Sequence, residues 1–379
     1  MEKCPLPALL CILLALFLAF GMGCPSPQES RAPAGSTGHT KSTQPNESTE
    51  PIQSTEFQCF LVNPQANSLG IGGTDIGLPV ERSDGTTWIL FGDVKGTTSG
   101  KGGASALAIS PTPFNCSSFS WKSDGERFYQ PLHSARNSTD ASTVPAGAIE
   151  LDGKFYIYAM RVTQWAFNSG PGAATEGHGM LFRQENSTFV PVASWAQNTH
   201  TSAAPVIGRL EDGTEAVFIA FTNKYRDSQI YGAYVLPSEI EGPSKYHYFA
   251  GMENGEPRWG DESSAVPIKG LYANGTGEIS LAYNPVLKKY LLMFKDYKGS
   301  RDSFYLYSAD NPWGPYSLEK EFTPCGTAGD KPSWMEEGWS GCYGGYIFPN
   351  SFGADGKDIY FTVSVWVPYT TIVSKGRMD

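Results

Sequence analysis

The chain has 379 residues, of which 17% are charged, 40% hydrophobic and 13% aromatic, a globular mix with room for one large domain or two modest ones. Its 28 Lys and Arg against 38 Asp and Glu give a net charge of −10. That argues against nucleic acid, whose binding relies on basic surface to displace counterions, and disfavours a polyanionic sugar. Forty-two Gly and 27 Pro suit turn-rich β architecture better than long helices.

Residues 1–24 read as a signal peptide. Lys3 supplies a thin positive start, and residues 6–20 form an apolar run the length of an h-region, shorter than the roughly 20 residues of a transmembrane helix. Gly21-Met22-Gly23-Cys24 puts small residues before a cysteine, as bacterial lipoprotein signals do. The expectation is export with Cys24 lipidated, and ordinary cleavage nearby is the alternative. Residues 25–56 are Pro, Ser, Thr, Gly, Glu and Gln with almost nothing apolar, a disordered linker that cannot bury enough surface to fold. A flexible tether of that length spans about 30 Å.

The folded domain is expected over residues 57–379. Four cysteines remain beyond Cys24: Cys59, Cys116, Cys325 and Cys342. An even number in an exported chain predicts disulfides; of the three connectivities, sequence proximity favours Cys59–Cys116 and Cys325–Cys342. There is no CxxC pair and no HExxH, and the five histidines are scattered, so no metal and no cofactor is expected.

A pattern then recurs five times: an extended segment, a tight polar turn, and a short run of β-formers. The turns are Ser83-Asp84-Gly85-Thr86, Leu151-Asp152-Gly153-Lys154, Glu211-Asp212-Gly213-Thr214, Asn284-Pro285-Val286-Leu287-Lys288 and Ala354-Asp355-Gly356-Lys357. Asp-Gly between apolar runs signals a hairpin, because both residues tolerate φ > 0. Turn centres near 84, 152, 212, 286 and 355 leave room for about four strands per repeat, which predicts an all-β chain forming a five-bladed β-propeller. A β-sandwich with five coincident hairpins is the alternative. A short helical turn is expected near residues 236–241, and Gly70-Ile71-Gly72-Gly73 lacks the βαβ unit a dinucleotide loop requires.

Asp75 and Asp93 lie symmetrically about Asp84. In an unbulged antiparallel hairpin they face each other with Cβ atoms about 5 Å apart, an arrangement unfavourable for folding. Their flanks, Gly72-Gly73-Thr74-Asp75 and Phe91-Gly92-Asp93, leave room for a ligand beside the backbone. Glu278 and Asp296 lie in the same way about Leu287, as a secondary pair that Lys295 is able to neutralise. Paired carboxylates in a cleft, with aromatic rings to stack on sugars, are what glycoside hydrolysis needs. Candidates for substrate binding are Trp339 and Tyr343, in an aromatic, glycine-rich stretch pinned by Cys342, together with Asn223 and Arg161.

Gly72-Gly73-Thr74-Asp75-Ile76-Gly77, Phe91-Gly92-Asp93 and Gly277-Glu278-Ile279-Ser280-Leu281-Ala282-Tyr283-Asn284-Pro285 together resemble the bacterial propeller family called domain of unknown function 4185. Some of its members are endo-D-arabinanases of glycoside hydrolase family 183, which cut the arabinan of mycobacterial cell walls. The resemblance spans roughly residues 57–379. It implies a five-bladed propeller, an inverting hydrolysis, and Asp75 and Asp93 as the catalytic pair.

The leading reading is therefore an exported glycoside hydrolase cleaving a furanoside polysaccharide, for which the resemblance implies endo-D-arabinanase action. It meets a polysaccharide as a monomer, without nucleic acid, and touches the membrane only through a lipid anchor at the cell surface or in the periplasm. The alternatives are a non-catalytic carbohydrate-binding propeller on the cell surface and a structural surface lipoprotein.

Overall fold

The computed structural model describes residues 55–98, 102–132, 142–165, 175–298, 303–326 and 331–379. Residues 1–54, on which the signal-peptide, Cys24 and linker expectations fall, lie outside them.

The chain enters through strand β1 (Glu56–Phe60) and a single helical turn, α1 (Pro64–Ser68). Blade I follows as β2 (Ile71–Glu81), β3 (Thr86–Gly96), β4 (Ala106–Pro111) and β5 (Ser120–Trp121). A small hairpin, β6 (Ser123–Asp124) with β7 (Arg127–Phe128), leads onward. Blade II consists of β8 (Ser142–Leu151), β9 (Lys154–Gln164), β10 (Glu176–Glu185) and β11 (Thr188–Ser194). Blade III has five strands: β12 (Ser202–Arg209), β13 (Glu215–Thr222), β14 (Ile230–Val235), β15 (His247–Glu253) and β16 (Glu256–Gly260). Blade IV is β17 (Thr276–Asn284), β18 (Lys289–Asp296), β19 (Phe304–Ala309) and β20 (Ser317–Phe322). Blade V takes β21 (Ser340–Phe352), β22 (Asp358–Val367) and β23 (Thr370–Arg377), and is completed by β1.

The fold is a five-bladed β-propeller, and each expected hairpin turn joins the first two strands of one blade. The first strands β2, β8, β12, β17 and β21 touch one another in a closed ring. In three of the turns an aspartate carboxylate accepts the amide two residues on: Asp84 from Thr86 (2.9 Å), Asp212 from Thr214 (2.9 Å) and Asp355 from Lys357 (3.0 Å). This Asx geometry explains why Asp recurs there. The expected helical turn is a 3-10 turn at Pro237–Glu239.

The core lies between the blades. A strand's side chains alternate between its faces, and a blade buried on both sides must be apolar on both. In β9, Phe155 and Ile157 pack toward Leu78 and Leu90 of blade I, while Tyr156 and Tyr158 pack toward Val217 and Ile219 of blade III. The pattern repeats with Phe218 against Leu292 and Phe294, with Met293 against Phe361 and Val363, and with Phe91 against Phe348 and Val373. Each such buried side chain contributes about 1.5–3 kcal/mol.

Blade V closes the circle by pairing the first and last strands of the propeller, Glu56 with Lys375 and Phe60 with Ile372. The disulfides are the expected ones. Cys59–Cys116 ties the closing strand to blade I, and Cys325–Cys342 ties the end of blade IV to the inner strand of blade V, with Cα atoms 6.1 and 6.2 Å apart. Two disulfides point to an oxidising environment, extracellular or periplasmic.

Two registers differ from the hairpin arithmetic. In blade I, Thr74 pairs with Val94 and Leu78 with Leu90, but Ile76 pairs with Phe91. Two bulges of opposite sense lie between, so Asp75 opposes both Gly92 and Asp93 instead of facing Asp93 alone. In blade IV, Asn284 pairs with Lys289 and Ile279 with Phe294, and after a further shift Thr276 pairs with Asp296. Glu278 and Asp296 are therefore not cross-strand partners.

Candidate active site

Each inner hairpin turn lies at one end of the propeller, so the second strand of every blade runs back to the opposite end and delivers its following loop there. A cavity of about 630 Å³ opens at that end, with Asp75 and Asp93 in its wall. Blade I supplies the carboxylates, the loop after β13 supplies Lys224, Tyr225, Arg226 and Asp227, and blade V supplies Tyr343, Trp366 and Tyr369.

Asp75 is aimed by strained backbone. Ile76 and Gly77, immediately after it, both have positive φ (70° and 69°), a conformation that a β-branched residue adopts only under constraint. The Ile76 amide donates to Ser364 Oγ at 2.8 Å, which fastens the bulge to blade V. A side chain at Gly77 would strike Thr371 Cγ2 at 2.7 Å, and one at Gly92 would strike Asp75 Oδ1 at 2.4 Å. Both glycines are required by close approach of the fold's own side chains.

Tyr343 donates its hydroxyl to Asp75 Oδ2 at 2.9 Å, and Tyr369, itself at φ 76°, also hydrogen-bonds this carboxyl. Asp75 Oδ1 is buried without a hydrogen-bond partner. Burial, followed by the charge of Asp93, pushes the Asp75 carboxyl up to about 8 against the two hydroxyls that lower it. Asp75 is thus a neutral acid at pH 7. Asp93 accepts Ser142 Oγ at 2.5 Å on Oδ1 and remains half-buried at the cavity wall.

Glu278 lies beside this pair but in a different environment. Tyr225 and Arg226 donate to its Oε1 at 2.6 and 2.7 Å, and Tyr297 donates to Oε2 at 2.6 Å. Burial alone would raise its pKa; Arg226 and the tyrosine hydroxyls hold it below the ordinary range. The guanidinium stacks over Tyr297 (4.2 Å), Tyr225 (4.8 Å) and Tyr343 (5.3 Å). Glu278 is an ionised latch that fixes the blade III loop against blade IV.

The remaining candidates scatter. Asp296 accepts the amides of Gly275 (2.9 Å) and Lys298 (3.0 Å) and so closes its own loop; the register shift turns it away from Glu278. Lys295 donates to the Cys342 carbonyl at 2.7 Å. Trp339 packs on Phe60 and Trp334, inside the aromatic cluster next to the Cys325–Cys342 bridge. Asn223 is engaged through its backbone with Ser228 and Thr201. Arg161 pairs in β9 with Thr143 and His178 and points a nitrogen at Met180. Of the four substrate-binding candidates, Tyr343 hydrogen-bonds Asp75. Sequence reading missed Tyr225, Arg226, Trp366 and Tyr369. The signal for them is positional: about a dozen residues past a hairpin turn, the chain returns to the carboxylate end.

A family profile described as Domain of unknown function (DUF4185) matches residues 62–375. The chain belongs to this family. No curated protein is similar to this DUF4185 chain in sequence. Among solved structures it is similar to a Bacteroides ovatus protein provisionally described as a hydrolase, with 12% identity over 81% of this chain and 86% of that one and a TM-score of 0.52. It is also similar to a GH43_1 enzyme of Xanthomonas citri (13% identity, 84% and 91% covered, TM-score 0.46). A family 117 glycoside hydrolase of Zobellia galactanivorans is a third (10% identity, 86% and 90% covered, TM-score 0.44). The first of these likenesses, at 12% identity, is one of fold alone.

Proposed function

We propose that this propeller is a glycoside hydrolase, exported and tethered through Cys24, in which Asp75 is the general acid and Asp93 the general base. The observation that carries the reading is a proton held on Asp75 beside a second carboxyl, Asp93, in the wall of the same cavity. Burial and the neighbouring charge keep the proton on Asp75, and both side chains line the same space.

In the reaction, Asp93 takes a proton from water as its oxygen attacks the anomeric carbon. The bond to the leaving oxygen breaks and Asp75 protonates that oxygen, giving a free alcohol and a hemiacetal of inverted configuration. Asp75 ends as carboxylate and Asp93 as acid, and solvent exchange resets both. Inversion requires room for water between the groups, about 6.5–9.5 Å. The family resemblance extends the reading to a furanoside polysaccharide, with D-arabinan as the first substrate to try.

The test is product analysis after incubation with furanoside and pyranoside polysaccharides, arabinogalactan included, with the anomeric configuration followed by NMR. Cleavage with inversion, lost in Asp75→Asn, is expected. Retention of one glycan without cleavage favours the carbohydrate-binding alternative instead.

A further inference from the structure

Two tryptophans reach the cavity from opposite sides of the carboxylates. Blade I, which holds Asp75 and Asp93, lies between blade II and blade V, as its two core interfaces show. Trp366, in β22 of blade V, lines the cavity and is 53% exposed. Trp165, directly after β9 of blade II, lines it from the other side.

Neither ring is placed casually. Trp366 meets Tyr343 and Tyr369 with centroids 6.0 and 5.9 Å away and planes at 62° and 86°. Those are the two tyrosines that hydrogen-bond Asp75, so the ring and the acid share one support. Trp165 stands edge-on to Tyr225 at 6.2 Å and 70°, and Tyr225 is fixed by Glu278. A rigid indole beside a polar centre suits a ligand with an apolar face and a polar edge. A sugar ring is such a ligand.

We propose that the substrate lies across blade I, with a sugar ring stacked on Trp366 on one side of the carboxylate pair and another stacked on Trp165 on the opposite side. The proposal rests on the glycosidase reading and adds to it two binding positions, one for each fragment of the cleaved chain. The rings hold the substrate in ground state and transition state alike, so they act on KM and leave kcat nearly unchanged.

The test uses the full chain and its Trp366→Leu, Trp165→Leu, Trp366→Phe and Trp165→Phe variants. Leucine keeps the apolar packing volume and removes the ring face; phenylalanine keeps a face. Binding to arabinogalactan, xylan and β-1,3-glucan is measured by affinity electrophoresis, and KM and kcat on whichever is cut. Each Leu variant is expected to weaken binding and raise KM at least tenfold with kcat within threefold, and each Phe variant to stay within threefold of wild type. A Leu variant binding within twofold of wild type overturns the assignment of that ring. Should wild type bind a glycan without cutting it, hydrolysis fails as a function while the same Leu variants still decide the platforms. Should it bind none of the three glycans, the platforms are refuted.

Discussion

Asp75 in blade I and Glu278 in blade IV are buried carboxyls in neighbouring parts of one site, each held by two tyrosine hydroxyls. They differ in the charge beside them. Asp75 has Asp93 for a neighbour and keeps its proton, whereas Glu278 has Arg226 and loses it. Desolvation penalises the charged form in both places, so the sign of the adjacent charge decides which is an acid and which a structural anion. A carboxyl that is costly to ionise is suited to donating a proton near neutral pH; one that is fully satisfied is suited to holding a loop.

The largest expected effect comes from removing the proton-transfer groups. Asp75→Asn and Asp93→Asn each lower kcat/KM by 10²–10⁴-fold, while Asp296→Asn, which keeps the acceptor for the Gly275 and Lys298 amides, stays within about threefold. Steady-state kinetics on a cleaved polysaccharide measures this. A dead Asp296→Asn beside an active Asp93→Asn would reverse the contrast between the blades.

Glu278→Gln breaks the comparison from the other side. It leaves Arg226 stacked and unpaired, at a cost of about 3 kcal/mol in denaturant unfolding, and activity falls with the loss of loop order. In the double variant Glu278→Gln, Arg226→Met the stability returns. If Glu278 were instead the proton donor, its loss would abolish activity with stability unchanged.

Gly92→Ala tests the crowding around the acid. The new methyl falls 2.4 Å from Asp75 Oδ1, so the carboxyl must move, and about a tenfold loss of kcat with a smaller change in KM is expected, because small misplacement of a catalytic group is expensive in rate.

The smallest effect is on stability. Asp75 titrates near its usual 3.8 in the unfolded chain and near 8 in the folded one. Folding therefore benefits from the protonated group below about pH 4, and the benefit is lost as pH rises through 8. At pH 8 Asp75→Asn is expected to melt several degrees above wild type, the usual signature of a site selected for function over stability. His200 gives a contrasting pH dependence far from the cavity. It is stacked between Trp195 and Phe221, and burial pushes it down to about 3. Stability contributed by neutral His200 is present above pH 6.5 and falls by about 1.4 kcal/mol per pH unit as pH drops below that value. A His200→Phe variant should flatten this acid-side loss in thermal melts.

Much of the architecture was legible because propeller hairpins are local. An Asp-Gly turn and the apolar run after it lie within a dozen residues, and the same periodicity pointed to five blades, while sequence proximity picked out the two cysteine pairs. The site was legible only where it uses a hairpin: Asp75 and Asp93 flank one turn, and glycines mark the close approach. Arithmetic failed at the bulges, because a single residue with positive φ such as Ile76 shifts the register without leaving a composition signal, and the four-residue turn of blade IV displaced Asp296. Arg226, Tyr225, Trp366 and Tyr369 were invisible for a different reason. They come together only after the ring has closed: Tyr225 and Arg226 reach Glu278 across 53 and 52 residues.

The measurement that bears most directly on the division of roles is a carbon-13 NMR titration of the aspartate side-chain carboxyls in the intact domain, with Asp75→Asn supplying the assignment. The account predicts that the Asp75 resonance reports a protonated carboxyl at pH 7 and titrates near pH 8, moving downward in Asp93→Asn once the neighbouring charge is gone. An Asp75 carboxyl already ionised at pH 5, and indifferent to Asp93, would contradict it.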